Sequence, residues 1–258
     1  MGAEGARISE DAVLGGRLVL RQPRKGHRIG HDAILLAAAC APGPGDRLVD
    51  LGAGVGAAGL AVARRVNELA VTLVEIDADL TELARDNAAA NDLSARVRAI
   101  CLDVGARPTA FAAAGLPPGS ADHVLMNPPF NAAVHPSPDR GRRLAHAAAH
   151  GTLVQWVGVA ARLLCPAGTL TLIWRADGLD AVLAALAKSF GAATILPIHP
   201  KPDAPAIRVI VRAVKASRAP LALLPGLILA DAAGKPTAAA EAVLREGALL
   251  PLSPNAGC

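Results

Sequence analysis

Aromatic residues are scarce in this chain of 258 residues, which has three Phe, two Trp and no Tyr. Hydrophobic residues still make up 52% of the sequence, and much of that share is alanine. The core must therefore rest mainly on aliphatic side chains, and the length is sufficient for one large domain. Phe130 is of interest because it uses a rare residue directly after the polar end of a predicted strand.

The chain also lacks a long apolar run. The longest, Ala33 to Ala41, is far shorter than the roughly 20 residues that a membrane-spanning helix needs, and the mean hydropathy of +0.37 reflects alanine. The N-terminal residues include Glu4, Glu10 and Asp11 without an apolar centre, which predicts no signal peptide. We therefore expect a cytoplasmic protein that does not bind membranes.

Paired cysteines and metal-ligand patterns are absent as well. The four cysteines are widely spaced without a C-x-x-C pair, so reduced thiols are expected. His146 and His150 share a helix face, but no third ligand and no H-E-x-x-H pattern accompany them, so we expect no metal. A net charge of +4 permits an anionic partner without requiring one.

Strand-like and helix-like segments alternate along most of the chain. The predicted strands are 47–52, 71–77, 96–103, 122–127, 168–175, 193–199 and 207–214, and the main predicted helices are 57–66, 78–90, 147–164 and 178–190. This alternation predicts β-α-β units, and the missing helix between the last two strands indicates an antiparallel edge. We predict an α/β, Rossmann-like fold with a seven-stranded, mostly parallel sheet and helices on both faces.

Three regions follow from this pattern. Residues 1–45 form an N-terminal strand and helix extension, 46–216 form the main domain, and 217–258 form a C-terminal extension packed on the same domain. The boundary near 45 rests on the breaker segment APGPGD, which begins at Ala41.

The segment DLGAGVG, Asp50 to Gly56, follows the first strand of the main domain and opens a helix. Gly52, Gly54 and Gly56 allow the backbone to approach a ligand beside the free N–H groups of the helix N-terminus. Glu75 lies about 20 residues further on, where it could hold ribose hydroxyls. The loop alone is ambiguous, because it also fits a nicotinamide dinucleotide or a turn without a ligand.

Two carboxylates favour S-adenosylmethionine (SAM) at this loop. Asp50 precedes the first glycine by two residues, where it can order the loop and face the cationic methionine part of SAM. Asp103 ends the third strand of the main domain, where it can accept a hydrogen bond from the adenine amine. We therefore expect SAM to be the cofactor, with a nicotinamide cofactor as the remote alternative.

A second motif, NPPF, ends the fourth strand, which should open onto the same crevice. The side-chain oxygen of Asn127 and the carbonyl of Pro128 can each accept one N–H of a planar amine, which points the nitrogen lone pair at a methyl donor. Pro129 stiffens the corner, and Phe130 can stack on the planar group. The motif thus indicates methylation of an amine, and a simple turn is the alternative.

Together, the DLGAGVG loop, Glu75, Asp103 and NPPF resemble the class I SAM-dependent N-methyltransferases with an N-P-P-[FY] motif. The segment GHRIGHDAILLAAA before the first strand resembles, more narrowly, the tRNA(Val) adenine-N6 methyltransferase family, and the likeness extends from about Arg21 to Leu252. The chain departs from that family at His31 and Phe130.

The resemblance implies a role for each motif residue. SAM would be bound by Asp50, Gly52, Gly54, Gly56 and Glu75, with Asp103 at its adenine, and the target amine by Asn127, Pro128, Pro129 and Phe130. Asp32 would lie near the cofactor entrance, although helix capping explains it equally well.

The resemblance also implies an RNA substrate, and adenine N6 in the anticodon loop of a tRNA is the leading prediction. Guanine N2 of ribosomal RNA and a protein glutamine also suit NPPF, and a silent RNA-binding module is the alternative from another class. Basic segments at 21–25 and 140–143 are predicted to contact phosphates, with solvated charge as the plain alternative. The oligomeric state stays open.

Overall fold

The computed structural model describes residues 8–24, 29–129 and 140–252, with side chains described throughout except at 140–150. The strands are β1 (Ile8–Val13), β2 (Leu18–Pro23), β3 (Arg47–Leu51), β4 (Ala70–Glu75), β5 (Val97–Cys101), β6 (Ala121–Met126), β7 (Leu164–Arg175), β8 (Phe190–His199), β9 (Arg208–Lys215), β10 (Ala222–Leu223) and β11 (Leu227–Ile228). The helices are α1 (His31–Ala39), α2 (Ala57–Arg65), α3 (Ala78–Ala90), α4 (Pro108–Ala113), α5 (Arg140–Leu163), α6 (Leu179–Leu186) and α7 (Ala238–Leu244).

One large sheet contains β3 to β11, in the order β10-β8-β9-β7-β6-β3-β4-β5, with β11 also paired to β8. The strands from β7 through β6, β3 and β4 to β5 are parallel, whereas β9 is antiparallel to both β7 and β8. The predicted α/β fold with a mostly parallel sheet and helices on both faces is confirmed. The antiparallel strand, β9, does not lie at the edge of the sheet as predicted. It lies between β7 and β8, because the crossover from β7 through α6 to β8 leaves room for one strand, which β9 fills.

Two apolar clusters cover opposite faces of this sheet, because alternate residues of a strand point to opposite sides. Leu48 belongs to the cluster under α1, α2 and α3, and Val49 and Leu51 belong to the cluster under α4, α5 and α6. Aliphatic side chains and alanine dominate both clusters, as the shortage of aromatic residues requires. No helix in the described ranges is long and apolar enough to cross a membrane.

The N-terminal hairpin β1–β2 is held to α3 by two asparagines one helical turn apart. Asn87 accepts the N–H of Arg21 at 2.7 Å and donates to its carbonyl at 3.0 Å. Asn91 makes the same pair of bonds with Val19, at 3.0 and 2.7 Å. Because Asn87 also donates to the carbonyl of Val55, the hairpin is joined to the glycine loop through one buried side chain.

The C-terminal region packs on the cluster that contains α1. Val243 of α7, Leu250 and Leu252 are buried there, and the N–H of Leu250 donates to the carbonyl of Ala38 at 2.8 Å. This bond satisfies one of the carbonyls that a helix leaves free at its C-terminal end. The two extensions therefore share one core with the central sheet.

Candidate functional site

The motifs predicted from the sequence lie at the carboxyl ends of four neighbouring strands, in the order β6, β3, β4 and β5. The register aligns Leu51 of β3 with Met126 of β6, so the next residues, Gly52 and Asn127, stand side by side at the sheet edge. In parallel α/β sheets, the crevice outside these ends is where ligands bind. The glycine loop and the NPPF corner therefore open onto one region.

The glycine loop adopts backbone conformations that favour glycine, with φ of 68° at Gly52, 57° at Gly54 and 90° at Gly56. The N–H groups of Gly52 and Ala53 both donate to the carbonyl of Val74, at 2.8 and 3.0 Å, which ties the loop to β4. A Cβ at Gly54 would meet no atom of the described residues within 4 Å, so the loop borders open space in this part of the structure. At Gly56 a Cβ would lie 2.9 Å from Leu73, which indicates that this glycine serves packing.

The carboxylate of Glu75 fixes this loop from the end of β4. One oxygen accepts the N–H of Gly54 at 2.8 Å, and the other accepts those of Ile76 and Asp77 at 2.9 and 3.0 Å. Three N–H donors hold both oxygens in place, and Glu75 is 8% exposed. A carboxylate has about four acceptor positions, so one remains for a ligand hydroxyl.

Asp50 lies beneath the loop and is 3% exposed. Its carboxylate accepts the N–H of Gly59 in α2 at 2.9 Å, so it joins the end of β3 to the helix after the loop. Burial raises the pKa of this carboxyl to about 7, against the effect of the Gly59 hydrogen bond, and the charge of Glu75 adds to the rise. The predicted loop-ordering role therefore has a specific contact, whereas a direct contact with SAM stays a prediction.

Asp103 and Ile76 form the far side of the crevice, beyond β5 and β4. Asp103 is exposed, and one of its carboxylate oxygens accepts the N–H of Gly105 at 2.7 Å. Ile76 is 65% exposed, which is unusual for a large aliphatic residue. An exposed carboxylate beside an exposed apolar side chain suits a planar heterocycle that carries an amine.

The corner after β6 contains an unpaired acceptor. The side-chain oxygen of Asn127 is buried and has no hydrogen-bond partner among the described residues. A buried polar atom without a partner costs free energy, so native proteins keep few of them. Pro128 is buried, Pro129 is exposed, and Phe130 lies outside the described residues. The Asn127 oxygen is thus enclosed in this structure, and its acceptor capacity is unused among the described residues.

A family model described as "Methyltransferase small domain" matches residues 29–199, which include the glycine loop, Glu75, Asp103 and the NPPF corner. The chain belongs to this family. Its membership confirms the resemblance to SAM-dependent methyltransferases and the predicted cofactor, SAM.

Similar proteins are named for different RNA substrates. A tRNA1(Val) (adenine(37)-N6)-methyltransferase from Phocaeicola vulgatus is 31% identical over 158 residues, 61% of this chain and 64% of that protein. Ribosomal RNA small subunit methyltransferase C from Stutzerimonas stutzeri is 37% identical over 95 residues, 36% of this chain and 25% of the relative. The chain thus spans less than two thirds of the length of these relatives.

A crystal structure of a predicted O-methyltransferase from Agrobacterium tumefaciens superposes on this chain with a TM-score of 0.72. The two sequences are 34% identical, and the match covers 85% of this chain and 98% of the other. Nearly the whole of that structure is therefore shared with this chain.

The residues of this methyltransferase fit SAM at the crevice. Glu75 is oriented by three N–H donors, and within the described ranges Gly54 borders open space and the Asn127 oxygen has no partner. SAM would extend from Gly52 across Glu75 to Asp103, which follows the order of the strands. Among the described residues, no group of three His, Cys, Asp or Glu side chains could hold a metal ion.

Asp32 is bound to a residue that the sequence did not suggest. Its carboxylate forms an ion pair with Arg208 at 2.9 Å, and each side chain is about a quarter exposed, 26% and 27%. Arg208 begins β9, and Asp32 lies in the first turn of α1, so the pair links two elements at the same sheet edge. Structural pairing explains Asp32 without a ligand, and its place at the cofactor entrance stays a prediction.

The basic segments are described only in part. Arg21 is exposed and pairs with Glu10 at 3.4 Å, and Lys25 lies outside the described residues. Residues 140–143 belong to α5, but their side chains lie outside the described part, as do those of His146 and His150. The predicted phosphate contacts therefore stay predictions.

Trp156 of α5 was not singled out from the sequence. Its ring lies against Gly52, where a Cβ would stand 2.4 Å from Cη2. The available signal was the rarity of aromatic residues, together with the place of Trp156 in the first predicted helix after the NPPF corner.

Proposed function

We propose that this methyltransferase transfers a methyl group from SAM to an exocyclic amine of RNA, with adenine N6 of a tRNA as the leading substrate. The observation that carries the proposal is the buried oxygen of Asn127 beside the glycine loop, which has no hydrogen-bond partner among the described residues. An acceptor without a donor in the described part of the chain is suited to a donor that arrives with the substrate, and an exocyclic amine supplies such an N–H.

The chemistry required of the chain is orientation. When bound, SAM supplies an electrophilic methyl group on a positively charged sulfur. The Asn127 oxygen and the Pro128 carbonyl each accept one N–H, which withdraws the nitrogen lone pair from the ring and directs it at the methyl carbon. The new N–C bond would form as the C–S bond breaks with its electrons left on sulfur, and the methylated nitrogen would then release its extra proton to water.

The length of α5 supports a nucleic-acid substrate. Its 24 residues span about 36 Å, whereas the six residues of β6 span about 20 Å. The carbonyl of Arg162 near the end of α5 accepts the N–H of Gly119 before β6, so the two elements are aligned at that end. By these lengths, the first part of α5, which contains Arg140, Arg142 and Arg143, extends roughly 15 Å beyond the carboxyl ends of the strands.

The names of the relatives support two RNA targets. The P. vulgatus protein is named as an adenine-N6 enzyme of a tRNA, and its match covers more of this chain than that of the ribosomal RNA enzyme. Guanine N2 of ribosomal RNA is the second candidate, because that relative shares 37% identity over its 95 aligned residues.

Nucleoside mass spectrometry of separated tRNA and ribosomal RNA tests the proposal, in cells that lack the protein and in cells complemented with the wild type or Asn127→Ala. We expect N6-methyladenosine to disappear from one tRNA and to return only with the wild type. Loss of N2-methylguanosine from ribosomal RNA would favour the second candidate. Loss of a 2′-O-methyl nucleoside, or of no RNA modification, would contradict the proposal.

A further inference from the structure

The indole of Trp156 occupies the space beside the first glycine of the loop. A Cβ added to Gly52 would stand 2.4 Å from Cη2 and 2.8 Å from Cζ3 of that ring. Real Cβ atoms do not approach other heavy atoms so closely, so any side chain at position 52 would displace the indole. Gly52 is therefore needed for the contact with Trp156 as well as for its φ of 68°.

Trp156 also borders the place where the two motifs meet. Gly52 stands beside Asn127, because Leu51 pairs with Met126 in the preceding register position. The neighbouring Gln155 lies at the other end of the crevice, with its amide nitrogen 3.0 Å from a Cβ built on Gly105. One turn of α5 thus touches the loops after β3 and β5, which are the proposed methionine and adenine ends of the cofactor.

Accessible aromatic surface is rare in this chain. Among the described aromatic residues, Phe111, Phe190 and Trp174 are buried at 0%, 8% and 4% exposure. Trp156 is only partly buried, with its inner side packed on the cluster under α4 to α6. Aromatic faces attract cations, and tryptophan does so most strongly.

We propose that Trp156 is a positioning residue for the cofactor, whose ring forms an aromatic wall against the positively charged sulfonium end of SAM. The inference rests on the proposed function, because it requires SAM at the glycine loop. A ring that only supports the loop would hold SAM and its neutral product, S-adenosylhomocysteine, equally well. A ring that contacts the sulfonium favours SAM over the product.

Calorimetric titration of both ligands separates these roles. We expect Trp156→Leu to weaken SAM binding by roughly 3- to 30-fold, the range of a cation–π contact, and to weaken product binding clearly less. Trp156→Phe should recover part of the preference, because it restores an aromatic face. Thermal melting of each variant checks the fold. Equal losses for both ligands, or none with Trp156→Leu, would overturn the inference.

Fluorescence gives a second readout, because the chain has two tryptophans. The matched control is Trp174→Phe, which leaves Trp156 as the one tryptophan. We expect SAM to change the emission of the wild type and of Trp174→Phe, and to leave that of Trp156→Phe unchanged. If Trp156→Phe keeps the full change, the inference fails while the proposed function stands. A wild type that binds no SAM in either assay would overturn both.

Discussion

The cofactor side of the crevice and the acceptor corner satisfy their polar groups in different ways. On the cofactor side, Glu75 accepts three backbone N–H groups, and Asp50 and Asp103 accept one each. At the corner after β6, the buried oxygen of Asn127 accepts none from the described residues. The two regions are adjacent, since β3 and β6 are paired.

This difference assigns a different physical task to each region. Glu75 uses the chain's own donors to fix the shape of the loop before any ligand binds, so little ordering is left for the binding step. Asn127 is fixed by its position between a strand and two prolines, and its oxygen is left for a donor from outside the chain. Removing a cofactor-side carboxylate should therefore affect the fold and cofactor binding, whereas removing Asn127 should affect the reaction.

The largest expected effect is that of Asn127→Ala. Its oxygen is proposed to bind the amine most strongly as the nitrogen becomes pyramidal and positive, so the variant should lower the single-turnover rate by ~10²–10³. SAM affinity should change little, and the melting temperature should hold or rise, because an unpaired buried acceptor is removed. Near-normal turnover would mean that NPPF is only a turn and that Asn127 has no role in catalysis. Asn127→Asp keeps an acceptor, and we expect partial activity.

Asn87→Ala is the matched control for this asparagine. Asn87 is fully buried, and its amide is paired with Arg21 and Val55. Its loss should lower the free energy of unfolding by about 1–3 kcal/mol, since buried backbone groups lose their partners. Equal melting temperatures for Asn87→Ala and Asn127→Ala would contradict the distinction between a fully paired amide and one whose oxygen has no partner among the described residues.

Glu75→Ala should weaken SAM binding by roughly 1.5–3 kcal/mol, the scale of a hydrogen bond to a charged group. Because the N–H of Gly54 also loses its acceptor, the melting temperature should fall at the same time. Calorimetry and thermal melting measure the two effects. Unchanged affinity with a lower melting temperature would mean that Glu75 serves the loop alone.

A combined change of Arg140, Arg142 and Arg143 to alanine should weaken RNA binding by roughly tenfold. It should also reduce the slope of log K against log salt concentration by up to about three. SAM affinity should stay constant. The charge-matched control changes Arg64, Arg218 and Arg245, which are exposed and lie outside α5. Filter binding over a range of salt concentrations measures both. Equal losses in the two triple variants would indicate general attraction by net charge.

The sequence predicted the parallel sheet well, because alternating apolar runs and glycine-rich turns are local signals. It placed α3 at its observed bounds but missed α4, a helix of six residues that starts with Pro108. The position of β9 depends on how a crossover skips a strand, which no local pattern encodes. At the site, the glycines, Glu75 and Asn127 follow from motifs, whereas the contact of Trp156 with Gly52 depends on how α5 packs.

The smallest expected effect concerns pH and the buried carboxyl of Asp50. Its folded pKa of about 7 lies above the unfolded value near 3.8, so the folded state holds the proton more tightly. The stability from this group is fully present below pH of about 4 and is lost as pH rises towards about 7. Asp50→Asn cannot ionise and keeps an acceptor for Gly59. The melting temperature of Asp50→Asn, relative to that of the wild type, should therefore rise by a few degrees between pH of about 4 and about 7.

Asp122→Asn is a control, because the stabilising effect of Asp122 depends on pH in the opposite direction to that of Asp50. Arg47 donates to this carboxylate and holds its pKa well below the usual range, so its stabilising effect is present at neutral pH and is lost on acidification. Melting curves from pH 4 to 8 should therefore show the Asp50→Asn difference growing with pH, while Asp122→Asn stays less stable than the wild type at neutral pH. A constant offset for Asp50→Asn would mean that the carboxyl is already charged throughout this range. Asp50 would then stabilise the glycine loop as an anion, like Glu75.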